Sequence, residues 1–134
     1  MFKKVLSLVL VLVLCFSMSA ALTSCGENDF RVALICLHGK NSTYDKNFID
    51  AFKTACANVG IKNSSRKIVV NIPEDTACYD KAAQFADRGY DLVFADSFGH
   101  EPYIIQAAKE FPDVQFCHAT GNGAHTEELS NFHD

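Results

Sequence analysis

The stretch Tyr90-Asp91-Leu92-Val93-Phe94-Ala95-Asp96-Ser97-Phe98-Gly99-His100 decides the fold. Leu92 to Ala95 reads as a short buried strand that ends in a polar, glycine-containing turn, and Glu101-Pro102 opens a helix directly behind it. A parallel strand whose carboxyl end feeds a helix amino terminus is where open α/β sheets receive small molecules, because free backbone N–H groups converge there. Function is therefore expected at that edge.

The chain on either side repeats the pattern. Phe30 to Leu37 is aliphatic enough for a central strand covered on both faces, and His38 to Asp45 is a polar loop. The helix behind it has Phe48, Ala51, Phe52, Ala55, Cys56 and Val59 at helical spacing as its expected inner stripe, and Gly60 closes it. Lys67 to Ile72 is a second, shorter strand stopped by Pro73. Asp75 or Thr76 caps a second helix whose expected inner stripe is Tyr79, Ala82, Ala83 and Ala86, ending at Arg88-Gly89. Downstream, the third helix turns Ile104, Ala107, Ala108 and Phe111 inward, Pro112 breaks it, and Val114 to Cys117 forms a fourth strand. From His118 to Asp134 no period is evident, so a loop with at most a short turn of helix is expected.

This β-α-β-α-β-α-β order with short connections predicts an α/β fold, a three-layer parallel sheet with right-handed crossovers and strand order 2-1-3-4. In that order the crevice falls between the loops His38 to Asp45 and Asp96 to Glu101, with the loop His118 to His125 along the same edge.

A chain of 134 residues, 49% apolar and 21% charged, supports one modest core rather than two. The charge is −4 and no basic run follows the first residues, which argues against a nucleic-acid partner. Those first residues stand apart. Lys3-Lys4, the apolar run Val5 to Phe16 and small residues from Ser17 have the layout of a secretory signal, with a core too short to serve comfortably as a permanent span. Leu22-Thr23-Ser24-Cys25 looks like a bacterial lipobox, whose cysteine is acylated and becomes the new amino terminus, so a lipoprotein signal over 1–24 is expected, with a plain cleaved signal as the competitor. Residues 25–29 then form a polar tether, and two acyl chains on Cys25 would hold the domain 30–134 at a membrane surface. Losing Lys3 and Lys4 deepens the charge by two, from −4 to −6.

Cys15 leaves with the signal, while Cys36, Cys56, Cys78 and Cys117 show no C-x-x-C spacing, so neither zinc nor a redox pair is indicated. Buried free thiols are expected. A disulfide stays open outside the cytoplasm, although Cys36 and Cys117 fall on non-neighbouring strands.

Asp96, Ser97 and His100 invite comparison with a nucleophile, an acid and a base, but they lie within one turn and lack a Gly-x-Ser-x-Gly elbow. A polar ligand-binding or capping turn is the preferred reading, and no catalytic residue is assigned. His38, His100 and His118 follow three strand ends, yet nothing fixes their separation, and neither a metal nor any other cofactor is assigned. Tyr44 and Phe98 lie outside the apolar stripes and suit stacking on a planar ligand, whereas Phe48 is in register with its helix stripe. No dinucleotide-binding fingerprint is present, because the first loop offers Gly39 alone.

Arg31 to Leu37, Tyr44 to Phe48, Ala86 to Phe94, Ser97-Phe98-Gly99 and Phe111 to Gly121 together resemble the basic membrane protein family, over essentially the whole chain behind the signal. Its members are lipoprotein solute-binding components of ABC importers, similar to purine nucleoside receptors. The family's first loop often continues past its phenylalanine with Asn-Gln, whereas this chain has Ile49-Asp50. The resemblance implies a type I periplasmic-binding-protein-like amino-terminal lobe, truncated after its fourth strand, with the second lobe absent and Asn131-Phe132-His133 leading towards a further helix. It also implies a small solute as ligand, an ABC permease as partner and a lipid anchor on Cys25 at the extracytoplasmic face of the cell membrane. Topology and resemblance together put Tyr44, Asp45, Phe48, Ser97, Phe98, Gly99 and Thr120 against the solute. The competing readings are a small extracytoplasmic hydrolase using Ser97 and His100, and a ligand-sensing lipoprotein.

Overall fold

The computed structural model describes residues 29–123 and 128–134. The expected signal 1–24, Cys25 and residues 26–28 of the tether lie outside the described residues, as do 124–127 of the last loop. Five strands form one all-parallel sheet: β1 (Val32–Ile35), β2 (Arg66–Val69), β3 (Leu92–Ala95), β4 (Gln115–His118) and β5 (Phe132–His133), in the order β2-β1-β3-β4-β5. Three helices connect them, α1 (Thr43–Asn58), α2 (Thr76–Asp87) and α3 (Glu101–Glu110). The α/β parallel sheet and the 2-1-3-4 order are as expected, and β5 is an addition. Within the segment Asn131-Phe132-His133, Phe132 and His133 dock as a strand, with Phe132 opposite Phe116. Two apolar partners of that kind are too short a run to register as a strand by pattern.

Both faces are covered, unequally. Ala33, Ile35, Val93, Ala95 and Phe116 turn towards α2 and α3 and meet Cys78, Ala82, Phe85, Ile104, Ala107 and Ala108, with Phe132 closing the far side. Val32, Leu34 and Cys36 turn the other way and meet Ile49, Phe52 and Cys56 of α1. The complete burial pattern of β1 is what a central parallel strand requires.

Two helix stripes are rotated from expectation. In α1 the buried residues are Asp45, Ile49, Phe52 and Cys56, whereas Ala51 and Ala55 are exposed and Val59 is 72% exposed. In α2 Cys78, Ala82 and Phe85 are buried, while Tyr79, Ala83 and Ala86 are half-buried. Alanine is apolar but weakly committing, so a stripe counted on alanines slips by a position when a larger side chain competes for the core. Ser42 caps α1 and Asp75 caps α2, the latter accepting from the Ala77 N–H at 2.8 Å. Gly60 and Gly89 end those helices at positive φ, and the N–H groups of Ile61 and Tyr90 then reach back to the Cys56 and Phe85 carbonyls.

All four cysteines among the described residues are free, with Cys36, Cys56 and Cys78 buried and Cys117 half-buried. Among the described residues no helix is long and apolar enough to cross a membrane.

Candidate functional site

Parallel pairing sets Ile35 beside Ala95 and Ala95 beside His118, so the chain leaves β1, β3 and β4 at one level and their exit loops share one rim. The loops are tied across that rim. The Leu37 N–H donates to Asp96 Oδ1 at 3.1 Å, and the Tyr44 hydroxyl to the Asp96 carbonyl at 2.9 Å. His118 Nε2 lies 2.7 Å from the Ser97 carbonyl, and His100 Nε2 lies 2.9 Å from the Ile72 carbonyl. A carbonyl only accepts, so each ring carries a proton on Nε2. The three strand-end histidines thus serve different neighbours: His38 remains exposed beside Asp45, and the other two pin loops.

The expected binding residues divide into four groups. The Tyr44 and Phe48 rings meet at a tilt, 5.0 Å between centroids, Tyr44 is 46% exposed, and Phe98 is 64% exposed, so aromatic surface does reach solvent at or near the rim. Ser97 and Gly99 are engaged elsewhere in the fold: the Ser97 hydroxyl donates to Glu74 Oε1 at 2.5 Å, and the Gly99 N–H donates to the same oxygen at 2.9 Å. Asp45 is 1% exposed and accepts from the His38 N–H at 2.7 Å, which makes it a staple of the first loop. Thr120 sits at the β4 exit with φ 71° and its hydroxyl turned onto the Ala119 carbonyl.

Glu74 is the residue that sequence reasoning missed. It follows Pro73 in the loop after β2 and puts its carboxylate on a hydroxyl and an N–H at the turn that opens α3, the position an anionic group favours. The Ser97 hydroxyl, then the Gly99 N–H, hold its carboxyl below the ordinary range. Because the Ser97 proton goes to Glu74 and His100 Nε2 goes to Ile72, these bonds do not assemble a serine–histidine relay.

Under the rim, Cys36, Asp45 and Asp96 approach so that one ligand atom of each lies within 4.8 Å of the others. Asp45 Oδ2 and Asp96 Oδ2 are buried without a hydrogen-bond partner. Burial pushes the Asp96 carboxyl up against the lowering effect of the Cys36 thiol and the Leu37 N–H, and neighbouring Asp45 adds to the rise. Burial opposes the Asp45 charge too, but hydrogen bonds from Ser42 and from the backbone of His38 and Asp45 outweigh it and hold that carboxyl below its usual range. The two carboxyls are thus driven apart, one towards the acid and one towards the anion.

Two open concavities flank the rim. A polar cleft of about 480 Å³ is lined by His38, Gly39, Asn41, Ser42 and Asn71. An apolar trough of about 530 Å³ runs beside α1, where Phe48, Ala51, Ala55, Phe94 and Cys117 are among the lining residues. The α1 residues expected in the core, Ala51 and Ala55, line this trough instead.

A parallel α/β lobe whose strand exits gather on one rim has the architecture in which open sheets present a crevice at their carboxyl edge. No protein-family profile matches the chain. A purine-binding protein of Brucella abortus (strain 2308) is 39% identical over 51 residues, which cover 38% of this chain and 15% of that protein. An ABC transporter solute-binding protein from Conexibacter woesei superposes with a TM-score of 0.63 at 27% identity, over 77% of this chain and 33% of that one. A fragment from Peptoclostridium difficile 630, described as a candidate lipoprotein, shares the fold with a TM-score of 0.64 at 19% identity, over 78% of this chain and 82% of the fragment. The resemblance to the basic membrane protein and nucleoside-binding type of receptor is thereby found again, over part of the chain. The chain spans about a third of the length of the solute-binding protein and less of the purine-binding relative.

Proposed function

We propose that this chain is the amino-terminal lobe of an extracytoplasmic solute-binding lipoprotein of an ABC importer, with residues 1–24 as signal and Cys25 as the acylated anchor. The solute is a nucleoside or a related small planar molecule, and it lies against the β1, β3 and β4 exit loops. One observation carries this reading: three aligned strand ends gather their loops on one rim, where Tyr44 and Phe98 expose aromatic surface. The solute-binding neighbour and the purine-binding relative support the same class. Tyr44, Phe48 and Phe98 supply stacking, while Ser97, Gly99 and Thr120 offer hydroxyl and N–H groups once Glu74 yields. Asp45 acts from beneath by holding the first loop.

Residues 25–134 taken alone offer the solute one wall, so their own affinity is expected to be weak. Titrating the isotopically labelled chain with adenosine or guanosine should shift amide resonances in loops 38–45, 96–101 and 119–121 only, saturating at about millimolar solute. Phe98→Ala should remove those shifts. Shifts scattered elsewhere, or none at all, would overturn the rim as the solute site. In cells, Cys25→Ser should abolish palmitate incorporation and release the protein from the membrane fraction.

A further inference from the structure

The carboxylates and imidazole at the β4–β5 end of the sheet have no role in solute binding as described. Glu101 opens α3, His118 ends β4 and Asp134 follows β5, and one ligand atom of each lies within 4.8 Å of the other two. Three separate elements supply the donors, so this is a junction of the fold rather than a run of surface acids. A point within about 2.8 Å of all three therefore exists, a small adjustment away from the roughly 2.0–2.2 Å of zinc bonds to nitrogen and carboxylate oxygen.

His118 is the decisive member. Its side chain is fully buried, and its Nε2–H is committed to the Ser97 carbonyl at 2.7 Å. With Nε2–H so committed, Nδ1 is the atom left to face the cluster, as a lone pair whenever the ring carries a single proton, and it is buried without a hydrogen-bond partner. What it faces is Asp134 Oδ1 at 3.6 Å, with the Glu101 carboxylate alongside. An acceptor aimed at two anionic acceptors is repulsive unless a positive centre stands between them. A ring that donates one nitrogen to a carbonyl and offers the other to carboxylates is also the usual posture of a metal-bound histidine.

The surrounding backbone supports the same posture. Glu101 Oε1 accepts from the Asn122 and Gly123 N–H groups at 2.6 and 2.5 Å, which orients that carboxylate. Gly121 lies against the cluster, and a Cβ there would come to 2.5 Å from His118 Nδ1 and 2.7 Å from Asp134 Oδ1. Only glycine lets the donors converge.

We propose that Glu101, His118 and Asp134 form a binding site for a divalent first-row cation, with Zn²⁺ as its fitting occupant and water completing the coordination. One imidazole and two carboxylates form a borderline-to-hard donor set of the kind Zn²⁺ accepts. The ion clips β5 and the β4 exit loop onto the start of α3. The site does not depend on the solute reading, since none of its three ligands is among the solute-facing residues.

The test is calorimetric titration of the metal-stripped full chain with Zn²⁺, joined to nitrogen NMR of the histidine rings. One Zn²⁺ should bind, raise the thermal midpoint and shift His118 Nδ1 while Nε2 keeps its proton. Glu101→Gln and Asp134→Asn keep the shape of each side chain, and each should weaken binding by about tenfold or more while leaving the circular dichroism unchanged. Binding that is unaffected by both substitutions would overturn the site, as would a shift confined to His38 or His133. A proton found on His118 Nδ1 that Zn²⁺ does not displace would overturn it as well, since an imidazolium would then fill the role assigned to the metal.

Discussion

At the scale of single residues, the pair beneath the rim has the clearest consequence for stability. Asp96 has its carboxyl pushed up by burial, so the folded protein holds that proton at a pH where the unfolded chain has released it. Its contribution is favourable below the folded-state value and is lost as pH rises through it. Asn at 96 keeps an oxygen for the Leu37 N–H and removes a buried carboxyl close to Asp45. Asp96→Asn should therefore stabilise the protein in urea melts at pH 7 to 8 and bring little or nothing near pH 4. Equal destabilisation at both pH values would show that the cluster does not carry the strain described. Glu74 behaves in the opposite sense: its carboxyl is held low by Ser97 and Gly99, so its contribution is present above the ordinary glutamate value and fades as pH falls through the lowered one. Neither effect was legible in the chain, because Glu74 and Ser97 are 23 positions apart and meet only across two loops.

At the scale of elements, the phase of α1 can be checked by two substitutions. Ile49 is 1% exposed and Val59 is 72% exposed. Ile49→Ala should cost about 2–4 kcal/mol in denaturant unfolding, whereas Val59→Ala should change stability by less than about 0.5 kcal/mol. Comparable losses at both positions would restore the stripe expected from spacing alone. Helix spacing identified α1 and its span, but two stripes one position apart both contain Phe52 and Cys56, and the choice between them was made by the sheet. Asn131 provides a second element-scale case. It is 4% exposed, and its side-chain amide donates to the carbonyls of Ala108, Phe111 and Val114 at 3.0, 3.1 and 2.9 Å. It thus ties the end of α3 and the approach to β4 to the start of β5. Asn131→Leu strands those carbonyls and should cost about 2–4 kcal/mol, read from the urea midpoint. The residue sits in a segment without periodicity, which is why pattern alone suggested a loop there.

At the scale of the whole molecule, the distribution of thiols follows from the two-sided core. Cys36 and Cys78 are fully buried, one on each face of the sheet, and burial pushes the Cys78 thiol up to about 12 and raises that of Cys36 as well. Native alkylation with iodoacetamide, followed by mass spectrometry, should leave Cys36, Cys56 and Cys78 unlabelled until urea unfolds the chain, since all three are buried, and at Cys36 and Cys78 burial also disfavours the reactive thiolate. Early labelling of Cys78 with the secondary structure intact would mean that α2 opens independently of the sheet. The same two-sidedness leaves one side thinner: α1 covers β1, and the apolar trough beside it keeps Phe94 and Cys117 at the surface.

What the chain determined by itself was the alternation of strands and helices, the parallel order around β1 and β3, and the rim on which their exit loops gather. Those features rest on local periodicity and caps, which act over a few neighbouring residues, and on the fixed handedness of crossovers, which limits how successive strands can lie side by side. Only the folded arrangement decided which face of α1 and α2 is inward, that Phe132 pairs as a fifth strand, that Glu74 rests on the turn after β3, and that Glu101, His118 and Asp134 meet. Each of those outcomes is a contact between groups far apart along the chain, made where side-chain volume, buried charge and hydrogen-bond supply had to balance in three dimensions.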